Sequence, residues 1–176
     1  MFDANDYIIE VNKLSEGSNA FEMKADKALF DNFQYPDISD AAADISIKVV
    51  KNDKLIELGF VFKGELKVVC SRCLNTLSIP VDKQTALYVK IDDVDKKSST
   101  DGILEIDVDQ WLLDENETKM DLSHYIYEEL VTLIPIAPVH LHAEDCDKGM
   151  LEKLDAVNKT ENKETDPRWD KLKELL

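Results

Sequence analysis

The chain is poor in arginine, glycine and cysteine, and each scarcity narrows what it can do. Of its 21 basic residues only Arg72 and Arg168 are arginines. Arginine is the side chain that forks onto phosphates and base edges, so a broad nucleic-acid face is not expected. The 37 acidic residues leave a net charge of -16, and phosphates would meet net repulsion. The five glycines supply neither a G-x-G-x-x-G turn nor a Walker A loop. There is no G-x-S-x-G elbow and no H-E-x-x-H pair. No apolar run approaches the ~18 residues of a membrane span. The opening MFDANDYIIEV lacks the basic and apolar regions of a secretory signal. Three cysteines are an odd number, unlike a framework of paired disulfides. These absences lead to the expectation of a reduced, cytoplasmic, soluble protein that is not an enzyme and does not meet a membrane.

What is present suits one folded domain. At 176 residues with 44% hydrophobic content, the chain can bury a core without covalent staples. Residues 7–11 form a short strand candidate, and Phe21, Met23 and Ala25 alternate with polar neighbours as in a half-buried strand. Asp26 to Phe33 reads as a helical turn burying Phe30 and Phe33, ended by Pro36. Ile45, Ile47 and Val49 face one way, with Ser46 and Lys48 opposite. KNDK at 51–54 reads as a hairpin loop. Leu58, Phe60 and Phe62 continue the alternation, Gly64 interrupts it as a bulge or turn would, and Leu66, Val68 and Cys70 resume it. Leu77, Ile79 and Val81 form one further strand candidate and Leu87 to Ile91 another. Residues 42–91 thus read as an antiparallel meander.

Residues 92–121 are strongly acidic. They read as a solvated loop and strand edge, with one strand at Leu104, Ile106 and Val108. The alternative is a contact surface for a basic partner or a cation site. Asp121 is placed to cap a helix from Leu122 to about Ile134, with Leu122, Tyr125, Ile126, Leu130, Leu133 and Ile134 as its apolar stripe. Pro135 stops it. A short helix is expected at 149–157, closing a single domain over 1–157. A polar linker follows at 158–165, and a helix at 166–176 begins on Asp166-Pro167.

The chemistry concentrates in Val69-Cys70-Ser71-Arg72-Cys73-Leu74. A Cys-x-x-Cys between two strands is half of a tetrahedral zinc site. Cys146 with His140 or His142 supplies the other half, so a metal would clip two irregular segments together. One alternative is that the cysteines are small apolar residues at a strand end. Another is a redox pair or metal-dependent enzyme using Cys70 and Cys73, with Arg72 lowering the thiol pKa. Thioredoxin-type pairs open a helix after a strand, whereas this pair lies between strands.

Three stretches together, VVCSRCL at 68–74, DLSHYIYEELVTLIPIAPVH at 121–140 and DPRWDKLKEL at 166–175, with EIDV at 105–108 and Cys146, resemble the YceD family of bacteria and plastids, the large ribosomal RNA subunit accumulation proteins. The resemblance implies a non-enzymatic role in accumulating large-subunit ribosomal RNA, hence in ribosome biogenesis. Cys70, Arg72, Cys73, His140 and Cys146 match its recurring polar residues. Charge tempers the implied RNA role: a protein of net charge -16 is expected to reach ribosomal RNA through a basic ribosomal protein or assembly factor. Arg72 remains for one local contact with a partner. The expected fold class is α+β: an antiparallel β-meander or partial barrel in the N-terminal two-thirds, with helices mostly C-terminal.

Overall fold

The computed structural model describes residues 3–92 and 109–160. The strands are β1 (Ile8–Glu10), β2 (Gly17–Asp26), β3 (Ile38–Asn52), β4 (Leu55–Val69), β5 (Thr76–Asp92), β6 (Asp109–Asp114) and β7 (Lys119–Asp121). The helices are α1 (Lys27–Asn32), α2 (Ser123–Val131) and α3 (Lys148–Thr160). Five strands form one sheet in the order β2-β3-β4-β5-β6, and β1 pairs with β7 in a second, two-stranded sheet.

The alternation read from the sequence becomes the sheet. Ile45, Ile47, Val49, Leu58, Phe60 and Phe62 are buried on one face. The β3–β4 hairpin turns through Asp53 and Lys54, with Asp53 at φ 43°, a left-handed backbone that aspartate tolerates better than most residues. A register shift between Ile38 and Asp40 lets both Ile38 and Ala41 point inward. The extra residue resets the two-residue period.

Several expectations are corrected. The sheet does not close into a partial barrel: β2 and β6 are its two edges. It is not wholly antiparallel either, because β6 joins β5 in parallel. Leu77–Val81 and Leu87–Ile91 belong to one strand. Pro80 does not break β5: among the described residues β6 pairs with β5 over Leu87–Asp92 and no strand pairs with Pro80 on that side, where a missing N–H is tolerated. Gly64 makes no bulge: pairing runs unbroken through Ala43↔Gly64 and Gly64↔Val81. Other readings hold: the helical turn expected at Asp26–Phe33 is α1, between β2 and β3, and the other two helices lie C-terminal. α3 continues to Thr160, into the stretch read as linker. The expected strand at 104–108 and helix at 166–176 lie outside the described residues.

α2 packs across the sheet. Tyr125 stands against Phe60 at 4.9 Å and edge-on to Trp111 at 5.9 Å, and its hydroxyl lies 3.0 Å from Thr85 Oγ1. Asp121 accepts from Ser123 N–H at 2.8 Å and satisfies one free donor of the first turn. Helical bonding tightens after Val131: Leu133 N–H reaches Leu130 O and Ile134 N–H reaches Val131 O. Pro135 disfavours α conformation at the residue before it, so the chain leaves the helix here and turns toward the far end of the β4–β5 hairpin.

Candidate metal centre

The β4–β5 hairpin ends in a six-residue tip, 70–75, between paired Val69 and Thr76. Cys70 N–H donates to Asn75 O at 2.8 Å, and Leu74 N–H donates to Cys70 O at 2.9 Å. Leu74 takes φ 63° to close the tip. This turn folds the backbone around the Cys70 sulfur. The backbone N–H groups of Cys73, Arg72 and His140 lie near enough to favour its thiolate. Burial pushes the Cys70 thiol up, but those N–H groups and the Cys73 side chain outweigh it and bring it down to about 6. A sulfur ringed by amide donors is prepared to carry negative charge.

The second half arrives on the segment after α2. Ser71 N–H donates to Pro138 O at 2.7 Å and docks that segment on the hairpin tip. Two residues on, His140 Nδ1 lies 3.5 Å from Cys73 Sγ and 3.7 Å from Cys146 Sγ. A short 3-10 turn at Ala143–Asp145 brings Cys146 back toward the tip. The ligand atoms of Cys70, Cys73, His140 and Cys146 all lie within 4.8 Å of one another. The three cysteines are buried and free, and Leu77, Met150 and Leu151 pack around them.

These distances suit a small tetrahedral ion. Bonds of about 2.3 Å to sulfur and about 2.05 Å to nitrogen, at tetrahedral angles, put sulfur and nitrogen about 3.5 Å apart. The observed sulfur–nitrogen separations are 3.5 and 3.7 Å. Burial, followed by the neighbouring Cys73 and Cys70, raises the Cys146 thiol. A cation among the sulfurs would relieve that repulsion. The four residues could therefore hold a metal ion, and as a set they leave no ligand position for solvent.

The sequence left His140 and His142 as alternatives, and the structure separates them. His140 enters the cluster, while His142 is exposed and precedes the 3-10 turn. Arg72 is half-buried, with Nη1 4.0 Å from Cys146 Sγ. Its charge lies against the thiols, a placement that spacing alone did not show. The exposed Leu74 was also missed as a feature, although a leucine where a tight tip needs a left-handed residue was the available signal.

Among the described residues no helix is long and apolar enough to cross a membrane. No curated protein and no solved structure matches the chain. The family model described as large ribosomal RNA subunit accumulation protein YceD matches residues 58–176, a span that holds both halves of the four-residue cluster, and the chain belongs to that family.

Proposed function

We propose that this chain is a cytoplasmic, non-enzymatic ribosome-biogenesis factor. It supports accumulation of large-subunit ribosomal RNA by engaging a basic ribosomal protein or assembly factor. Cys70, Cys73, His140 and Cys146 hold a zinc ion as a structural clamp. The observation that carries the clamp is the buried convergence of three sulfurs and one imidazole nitrogen within 4.8 Å. Four protein ligands complete a tetrahedron, as in structural zinc sites, whereas catalytic sites keep one position for water or substrate. Three thiolates, one imidazole and a divalent ion leave a net charge of about -1, and Arg72 beside Cys146 offsets it. The family's description supports the ribosomal role. The charge of -16 supports a basic protein over RNA as the direct partner, with any RNA contact local and centred on Arg72.

One observation favours a second reading, a thiol-redox enzyme or metal-dependent enzyme using Cys70 and Cys73: the Cys70 thiol is lowered to about 6. Reactive cysteines, however, sit in partly exposed sites, and Cys70 is fully buried.

Elemental analysis tests the clamp. About one zinc per chain is expected, lost in Cys73→Ser. A metal-free protein that cycles between dithiol and a Cys70–Cys73 disulfide would instead establish the redox reading. A pull-down with and without nuclease tests the partner. Ribosomal proteins are expected to stay bound after nuclease. Recovery of ribosomal RNA alone, lost on nuclease, would overturn the protein-mediated role.

A further inference from the structure

The metal cluster has an outer side. Where the hairpin tip meets the segment after α2, a groove of about 400 Å3 opens to solvent. Tyr35 and Asp37 form one wall with the end of β4. Leu74 lines it from the tip, and Ile134, Ile136 and Pro138 line it from the segment after α2. The volume is at the small end of ligand-sized pockets and accommodates one or two large side chains.

Two residues are hard to account for by folding alone. Leu74 takes φ 63°, a backbone that a side chain makes costly and that glycine or asparagine would adopt with less strain. It is also 62% exposed. A leucine here is therefore unfavourable twice, in its backbone and in its contact with water. Ile136 is fully exposed, between Pro135 and Pro138. The chain bends at Ile136 and Ala137 between the two prolines, which fix their own φ and restrict the residues just before them.

The charge around the groove selects its occupant. Asp37 is the one charged residue among the described lining residues, and the chain carries a net charge of -16. Among the described residues no lysine or arginine lines the groove, so a nucleic-acid backbone would find no cation among them. An apolar side chain on a basic segment would find both an apolar seat and a favourable field.

Resting on the basic-partner function above, we propose that this groove is the partner's docking surface. A large apolar side chain of a basic large-subunit ribosomal protein or assembly factor inserts between Leu74 and Ile136, with a flanking cation near Asp37. Leu74 and the residues Ile134 to Pro138 belong to the two segments that the metal ligands join, and Ser71 N–H bonds Pro138 O between them. The metal centre thus shapes the groove without touching its occupant.

The experiment titrates the full, zinc-loaded chain with purified basic large-subunit ribosomal proteins and basic assembly factors, one at a time, by calorimetry. At least one is expected to bind. Leu74→Gly relaxes the tip, so its melting temperature should equal or exceed the wild type while affinity falls about tenfold or more, as for loss of an apolar anchor. Ile136→Ser and Asp37→Lys should weaken binding in the same direction. Unchanged affinity in Leu74→Gly and Ile136→Ser would overturn the groove and leave the basic-partner reading standing. Failure of every basic protein to bind would overturn both. A large-subunit RNA fragment whose binding depends on Leu74 would make the groove a nucleic-acid seat. A wild-type dimer that Leu74→Gly dissociates would make the occupant a second copy. Tighter partner binding by Trp169→Ala would make it the chain's own C-terminal segment. Each of these last three results overturns the proposal.

Discussion

Gly64 lies at the centre of β4 with continuous pairing on both sides, yet its φ is 151°. A Cβ built there would stand 2.1 Å from Ala42 O and 2.7 Å from Ala43 Cα. Both obstacles are backbone, and a paired β3 has little freedom to withdraw. Gly64→Ala should therefore lower stability by at least about 2 kcal/mol, from strain and close contact together. Urea unfolding checks this, and an unchanged midpoint would mean that β3 yields. At the four-residue cluster, if zinc is held as proposed, His140→Ala should remove zinc binding in competition with a chromophoric chelator, while His142→Ala should bind like the wild type. Equal loss in both would mean that the ligand set is misassigned. The cluster was largely legible in the sequence, because few residue types bind zinc and their spacing in two pairs is distinctive. The choice between the two histidines was not legible. It depends on how Pro138 docks against Ser71, a contact between segments 67 residues apart in the case of Cys73 and His140.

At the scale of elements, α2 is fastened to β5 by a half-enclosed ion pair. Lys83 Nζ lies 2.5 Å from Glu129 Oε2 and 2.8 Å from Thr132 Oγ1. Among the described residues no other hydrogen bond serves that carboxylate oxygen. Removing the ammonium alone leaves a carboxylate little exposed, so Lys83→Met should cost about 1–3 kcal/mol. Adding Glu129→Gln should recover part of that loss, and a double-mutant cycle that shows no coupling would refute the pairing. Tyr7 makes a comparable link, donating from its hydroxyl to Lys24 O at 2.7 Å. Burial first, then Asp26 and Asp6, push its pKa up from 10.0 to about 12. A folded-state pKa above the unfolded one means that Tyr7 contributes fully below pH 10.0 and loses that contribution as pH rises toward 12. The stability advantage of wild type over Tyr7→Phe should accordingly shrink across that window in alkaline urea titrations. A constant difference would sink the assignment. Strand existence was legible from two-residue alternation, which reports the face each side chain takes. It does not report partner direction, so the parallel β5–β6 pair was not visible. Nor does it show where one strand ends and another begins, so β5 looked like two.

Across the whole molecule, stability is divided between two unequal bodies of contacts. β3, β4 and β5 share a continuous buried face and pair over their full facing lengths. α3 has far less to hold it: Met150 and Leu151 are half-buried against the thiol cluster, and its other described side chains are exposed. The segment from Val139 to Asp145 is mostly exposed as well. Hydrophobic burial therefore secures the sheet, whereas the segment 139–158 depends on His140 and Cys146 reaching the hairpin tip. A metal bound there would supply stabilisation that this stretch lacks by itself, because ligands that must be gathered in folding convert binding energy into folding energy. Chelating the metal at neutral pH should release amide protection across residues 139–158 and at the 70–75 tip, while amides of β3 and central β4 keep theirs, as local opening permits. Hydrogen exchange followed by mass spectrometry resolves the two regions. Loss of protection throughout the sheet would mean that the metal holds the entire domain, and no change anywhere would mean that it holds neither part. Selective release of 139–158 would also open the wall that carries Ile136 and Pro138, so partner binding should fall on chelation even though the sheet remains folded.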